Sequence, residues 1–300
     1  MTARPLWLTQ HERGSRWLMG AITAIALNVG RPVGRMLLYP ICVYFIVFSR
    51  SARAASRDYL RRLHGRRAGW RDVFRHYHCF AATILDRVFL LSGRLDHFEY
   101  EIEGLDALRA TIAGGRGCLL FGAHFGSFEV LRVLAMADAP VRVRVLMHEA
   151  NAQKLNSVLA QLNPAAMLEV ITLGRAETML DVRDAVQSGQ VVGLLADRVV
   201  NGGRLVNCQF FGATAPFPEG PFILASLLKV PVVLFSAVCK GDGRYRIRFE
   251  TFNTVAGVSR GHAAIAEQCQ QYADWLEACC RGDPDNWFNF YDFWATSQRA

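Results

Sequence analysis

Hydrophobic positions change their period twice along this chain. Two continuous apolar runs, 17–29 and 36–48, open the sequence, each 13 residues long, with Arg31, Pro32 and Arg35 between or interrupting them. Over 51–95 the period becomes helical, with a break near Gly65 and Gly69. Arginines fall on one side of that pattern and aromatics on the other, which predicts amphipathic helices suited to lying along a membrane face. Beyond Arg94, short apolar or alternating runs take turns with helical stretches.

These later runs predict an edge strand at 100–104 (YEIEG), a helix at 105–113 and a buried strand in CLLFGA from Cys118. A half-buried strand follows at 141–147, a helix at 151–161, a strand at 168–174 and a helix at 176–188 that stops at Gly189. VVGLLA at 191–196 reads as a buried strand, and the stretch to Glu219 as a Gly-, Asn- and Phe-rich loop. A helix at 221–229 and a strand at 230–238 come next. GDGR at 241–244 leads into YRIRFETF, a hairpin signal. A helix covers 260–280, and the chain closes on the aromatic run NWFNFYDFW at 286–294. Alternating strands and helices predict an α/β fold with a mixed, mostly parallel central sheet and helices on both faces. An N-terminal membrane-associated helical segment precedes it. The expected boundary separates an anchor at 1–50 from an α/β domain at 51–300.

Charge sharpens the reading of the first segment. Residues 1–75 carry fourteen arginines against three acids, Glu12, Asp58 and Asp72. That quarter is near +11 and the remainder near −3, so it supplies the whole formal +8. Arginines beside apolar, aromatic-rich runs fit an anionic membrane surface better than nucleic acid. Each run is shorter than the roughly 20 residues needed to span a bilayer. An interfacial or re-entrant anchor, one imperfect span, or a buried helical hairpin of a soluble domain remain open. The runs lack the small-residue cleavage site of a secretory signal. Eight cysteines without a CxxC pair read as reduced thiols in a cytosolic setting. His76, His78 and Cys79 form an HxHC cluster, but on a helix they face different ways and no second ligand cluster accompanies them. No metal is expected.

The candidate chemistry centres on GAHFGSFE, where His124 follows a buried strand and Glu129 comes five residues later. The Gly126-Ser127 turn permits the acid to come back to the imidazole as an orienting carboxylate, and such a pair deprotonates an alcohol or amine. A core histidine beside an ordinary helix-start acid is the competing reading. His262 and Glu267 have the same spacing, but in a continuous helix five residues place them roughly 140° apart, so they cannot pair. His148, Arg175 and the Asp197-Arg198 pair also fall at strand ends, which converge on one cleft where strands run together. Arg198 offers a fork for phosphate or carboxylate, or forms a local ion pair with Asp197. The loop at 210–225 feeds a helix whose start, at Glu219 and Gly220, is placed to hold an anion. Phe210, Phe211, Phe217 and Phe222 beside it are either core or a surface for an apolar tail. There is no GxSxG elbow, so Ser127 is not read as a hydrolase nucleophile. Neither a P-loop nor a GxGxxG fingerprint is present.

GAHFGSFEVLR, GQVVGLLADR, FFGATAPFPEGPF and DNWFNFYDFW occur in the order found in bacterial lipid A biosynthesis (lysophospholipid-type) acyltransferases, which the chain resembles over nearly its whole length. The resemblance implies a glycerol-phosphate-acyltransferase-like fold at the cytoplasmic side of the inner membrane. It implies transfer of a fatty acyl group from an acyl thioester, on acyl carrier protein or coenzyme A, to a lipid or glycolipid. The thioester is a co-substrate and no cofactor is expected; the partners are acyl carrier protein, a lipid acceptor and the membrane. His124 would be the general base and Glu129 its orienting acid, in an HX4E motif. Gly126 and Ser127 lie inside that motif, and Asp197 stands at the family's acidic strand end. Gln usually follows that acid; here it is Arg198. The family's usual arginine some tens of residues after the histidine is missing from MHEANAQKLN. A lipid esterase or thioesterase using the same histidine, and a non-catalytic lipid-binding protein, are the rival readings.

Overall fold

The computed structural model describes residues 28, 30–133, 142–148, 170–174, 177–199, 203–252 and 261–295. The expected helix at 151–161 and the residue Arg175 lie outside them, as does the first apolar run apart from residue 28.

Three helices lead the described chain: α1 (Arg31–Phe48), α2 (Arg50–His64) and α3 (Trp70–Leu91). Pro32 stands in the first turn of α1, where its missing N–H costs nothing. Gly65 ends α2 in the left-handed conformation. The arginine between the apolar runs does not merely interrupt them. Nε of Arg31 binds Asp86 of α3 at 2.7 Å, and that carboxylate is fully buried and also receives the Tyr245 hydroxyl. Gly34, Leu38, Cys42 and Ile46 form the buried stripe of α1, at the i, i+4 spacing of one helix face. Ring contacts of Tyr39 with Phe74 and His78 fix α1 against α3. The opposite face of α1 leaves Met36, Val43, Tyr44, Val47 and Phe48 exposed, and Tyr39 at its border is half exposed. α1 is the one helix among the described residues long and apolar enough to cross a membrane by length and composition.

A seven-stranded sheet follows. Its strands are β1 (Glu99–Glu103), β2 (Leu119–Gly122), β3 (Val143–His148), β4 (Val170–Leu173), β5 (Val191–Leu195), β8 (Val232–Cys239) and β9 (Arg244–Phe252), in the order β1-β9-β8-β2-β5-β3-β4. The five strands from β8 to β4 are mutually parallel; β9 turns back antiparallel on β8, and β1 runs parallel to β9 at the edge. Alternate residues of β2 go to opposite faces: Leu119 and Phe121 join one core, Leu120 and the preceding Cys118 the other. The first core includes α5 (Thr178–Gln187), α6 (Gly220–Leu228) and α7 (His262–Gly282), while α4 (Leu105–Ile112) and the C-terminal half of α3 pack in the second.

One expectation is corrected. The stretch read as a loop up to Glu219 contains a second sheet, β6 (Leu205–Phe210) paired antiparallel with β7 (Ala213–Pro218). Val206, Cys208 and Phe210 alternate inward, a strand pattern that the glycines and asparagine around it obscure. Phe211 (φ 51°) and Gly212 (φ 71°) make the two-residue turn, whose left-handed backbone at both positions matches the strand twist. Phe210, Phe211, Phe217 and Phe222 are all buried, so they belong to the core.

Candidate active site

β2 and β5 are neighbours, and their last residues, Gly122 and Leu195, face each other across the ladder. His124 and Asp197 stand two residues beyond each strand end, and there they meet. Nδ1 of His124 lies 2.8 Å from Oδ1 of Asp197, and the His124 backbone N–H donates to Oδ2 at 3.1 Å. The indole N–H of Trp287 donates to the same Oδ2 at 3.3 Å. The Tyr272 hydroxyl, from α7, donates to the Gly122 carbonyl at 2.7 Å and fixes the end of β2.

Electrostatics decide the protonation state of the pair. Burial pushes the Asp197 carboxyl up, but His124 and Arg198 outweigh it and hold the pKa at about 2. Asp197 is therefore a carboxylate and can only accept, which puts the ring proton of His124 on Nδ1. Nε2 then carries the lone pair and has no protein partner among the described residues. Burial, then the Arg198 charge, lower the His124 pKa, against the opposing pull of Asp197 and Glu129. The ring is nonetheless 32% exposed, so it is reachable. A neutral imidazole with a free, accessible Nε2 and a buried carboxylate on Nδ1 has the arrangement a general base requires.

Asp197, and not the expected Glu129, is thus the carboxylate bonded to Nδ1. The chain does turn at Gly126, with φ 68°, but it stays beside β8 instead of returning to the imidazole. The Gly126 N–H donates to the Asn286 carbonyl and the Ser127 N–H to the Ala237 carbonyl. A Cβ on Gly126 would sit 1.8 Å from that same Ala237 oxygen, so only glycine fits. A 3-10 turn (Phe128–Val133) then carries Glu129 toward α3, where Oε1 binds Nε of Arg87 at 2.7 Å. The buried Ser127 hydroxyl donates to Glu129 at 3.3 Å. Because the N–H groups of Gly126 and Ser127 are both engaged, neither is free to hold an oxyanion.

Arg198 donates from Nη2 to the Phe288 carbonyl at 2.8 Å, and its guanidinium lies 5.4 Å from the Tyr291 ring centre. Its charge bears on His124, while its hydrogen bonds do not form an ion pair with Asp197. Glu219, 3% exposed, and Gly220 open α6, and Glu219 pairs with Nδ1 of His262 at 3.1 Å, away from His124. An anion at that helix start would meet a carboxylate. His262 thus finds a partner other than Glu267, as helical geometry demands. His148 ends β3, next to β5, and its side chain lies outside the described residues.

The closing aromatic run completes the site, and nothing in its sequence announced this. The Phe288 N–H donates to the His124 carbonyl at 2.8 Å, and Asn286 clamps both backbone groups of Cys239. His76, fully buried, lies 2.8 Å from the Trp287 carbonyl through Nε2 and 2.8 Å from the Ser56 hydroxyl through Nδ1. His78 instead stacks on Phe74. The HxHC residues thus face different ways, and no group of three metal-ligating side chains occurs among the described residues.

Residues 81–296 match the family model of bacterial lipid A biosynthesis acyltransferases. No individual curated protein matches the chain. The match takes in His124, Asp197 and the Trp287 segment, everything that builds the pair, and extends over most of the sequence. The chain belongs to the bacterial lipid A biosynthesis acyltransferase family.

Proposed function

We propose that the protein transfers a fatty acyl group from a thioester, carried by acyl carrier protein or coenzyme A, to a hydroxyl or amine of a lipid A-type precursor or related lipid. The observation that supports this most directly is the His124–Asp197 pair at the ends of adjacent parallel strands, with Nε2 unengaged. Nε2 removes the proton of the acceptor O–H or N–H as that atom attacks the thioester carbonyl. The resulting oxyanion lies in the positive field of Arg198. When the tetrahedral species collapses, the C–S bond breaks, and the imidazolium returns its proton to the departing thiolate. No acyl-enzyme is required. Asp197 fixes the Nδ1–H tautomer and stabilises the imidazolium. Glu129 adds negative potential to His124 from its ion pair with Arg87.

In the same reading the protein works at the cytoplasmic face of the inner membrane. α1 packs its buried stripe on α3, and its other face is apolar and exposed, which suits a helix lying in the interface rather than crossing it. The basic first quarter adds attraction for anionic lipid and for an acidic carrier protein.

The test follows a labelled acyl group from acyl carrier protein into total bacterial lipid, with wild type and His124→Ala. Label in one lipid band that falls by about 10³-fold in the variant supports the acyltransferase. Undiminished transfer by the variant rejects His124 as the base. Release of free fatty acid alone, without a labelled lipid, makes the protein a hydrolase that activates water with the same histidine.

A further inference from the structure

We propose that Trp287 is a positioning residue of the reaction, holding Asp197 so that Asp197 in turn holds His124. This inference rests on the role given to His124 above and adds a third member to the pair.

The bland alternative is that Trp287 is core. It is 1% exposed and its ring meets Tyr59, Phe210, Phe293 and Trp294. Packing alone, however, does not explain the direction of its one polar atom. The indole has a single donor, and that donor points at Oδ2 of Asp197, 3.3 Å away. Oδ2 also receives the His124 backbone N–H, so Oδ1 is left for the imidazole. Two donors on one oxygen fix the carboxylate plane, and with it the ring orientation that sends Nε2 outward.

The backbone around Trp287 is tied at each step. Its carbonyl receives a ring nitrogen of His76, which Ser56 of α2 holds in turn. Next to it, Phe288 donates its N–H to the His124 carbonyl and accepts Arg198 at its own carbonyl. The segment is therefore bonded to the residues after β2 and after β5 at once. Neither strand end could shift relative to the other without breaking these contacts. The spacing of the pair depends on a stretch some 90 residues away from Asp197 in sequence.

Removing the indole donor has a predictable sign. With less compensation, the Asp197 charge attracts the His124 imidazolium more strongly, so the histidine holds its proton to higher pH. Other groups face the pair as well. Arg198 with Tyr291 beneath it comes from the strand end and the closing run. Glu129 with Arg87 comes from the turn and α3, and Tyr272 and Cys280 from α7. An isostere of Trp287 that keeps its shape is expected to leave all of them in place.

Two variants separate positioning from packing. Trp287→Phe removes the donor and some volume. Benzothienylalanine in place of Trp287 keeps the bicyclic shape and lacks only the N–H. Two readouts apply: the acid limb of kcat against pH, and the His124 ring titration followed by NMR, which needs no turnover. With the isostere we expect a thermal midpoint lowered only by about 2–4 °C, the cost of one buried hydrogen bond, and an unchanged KM. We also expect a kcat about tenfold lower and a His124 titration moved upward by up to about one pH unit. A folded isostere whose His124 titrates as in wild type, with the acid limb unmoved, overturns the proposal and leaves Trp287 as core. Should His124→Ala retain transfer, the reaction scheme fails, yet the NMR titration still reports whether Trp287 acts on the pair.

Discussion

Single side chains carry the sharpest expectations. Since Asp197, not Glu129, holds Nδ1 of His124, Asp197→Asn removes both the tautomer lock and the charge that stabilises the imidazolium. It should lower kcat by about 10²–10⁴-fold in the acyl-transfer assay. Glu129→Gln should cost about tenfold or less, because it loses only a through-space contribution and the Arg87 ion pair. Equal losses would return the orienting role to Glu129. The pH dependence has a definite sign: the base works unprotonated, so the rate falls as pH drops through the His124 pKa. Burial and Arg198 lower that pKa, so the acid limb lies below the ordinary value near 6.5. His76 makes a separate statement about stability. Burial lowers its pKa to about 4, against the pull of the Trp287 carbonyl. Between the unfolded value near 6.5 and about 4, the unfolded chain binds the proton and the folded chain does not. Stability is therefore full above 6.5 and lost as pH falls through that window, by roughly 3 kcal/mol. Denaturant titrations at a series of pH values check this, and in His76→Gln the slope should flatten by about one proton.

At the scale of elements, the docking of α1 depends on one buried charge pair. Asp86 has no exposed surface, and Arg31 neutralises it. Arg31→Ala leaves a buried carboxylate with only the Tyr245 hydroxyl for company and should cost about 3–5 kcal/mol, read as a lower denaturation midpoint. A double variant with Asp86→Asn should recover part of that loss, because the stranded charge is gone. The β6–β7 hairpin carries its own lesson. Its two-residue turn places Phe211 at φ 51°, an uncommon conformation for an aromatic residue, and Glu277 of α7 accepts the Phe211 N–H. Packing against α7 holds a turn that local preference disfavours, which explains why the stretch reads as a loop.

For the molecule as a whole, charge and apolar surface divide along the chain. The first quarter holds the positive excess, and α1 within it exposes Met36, Tyr44 and Phe48. Co-sedimentation with vesicles should therefore require anionic lipid and weaken as salt rises from about 0.05 to 0.5 M, since screening shortens the reach of exposed charge. Replacing Met36, Tyr44 and Phe48 together with serine should release the protein from vesicles while leaving the fold intact, because these side chains face outward. Retention of the triple variant on the vesicles would place the membrane contact elsewhere in the chain.

Sequence by itself determined the elements and the candidate base. Apolar period separated the helical N-terminal third from the alternating α/β part, because burial on one helix face or on both sheet faces writes itself into residue order. Helix ends were legible at Gly65 and Gly189, and the β8–β9 turn at GDGR, since local backbone chemistry sets them. His124 was legible because it follows a buried strand and precedes a glycine turn. Its partner was not. Asp197 is 73 residues away, and only the pairing of β2 with β5 makes the two strand ends neighbours. Glu129 was the better candidate by proximity in sequence, yet the conformation at Gly126 and the pull of Arg87 took it elsewhere. Trp287, His76 and Asn286 were further out of reach, because each acts through a hydrogen bond to a segment distant in the chain. Strand order is a long-range choice made by the whole core, and it decided which carboxylate meets the imidazole.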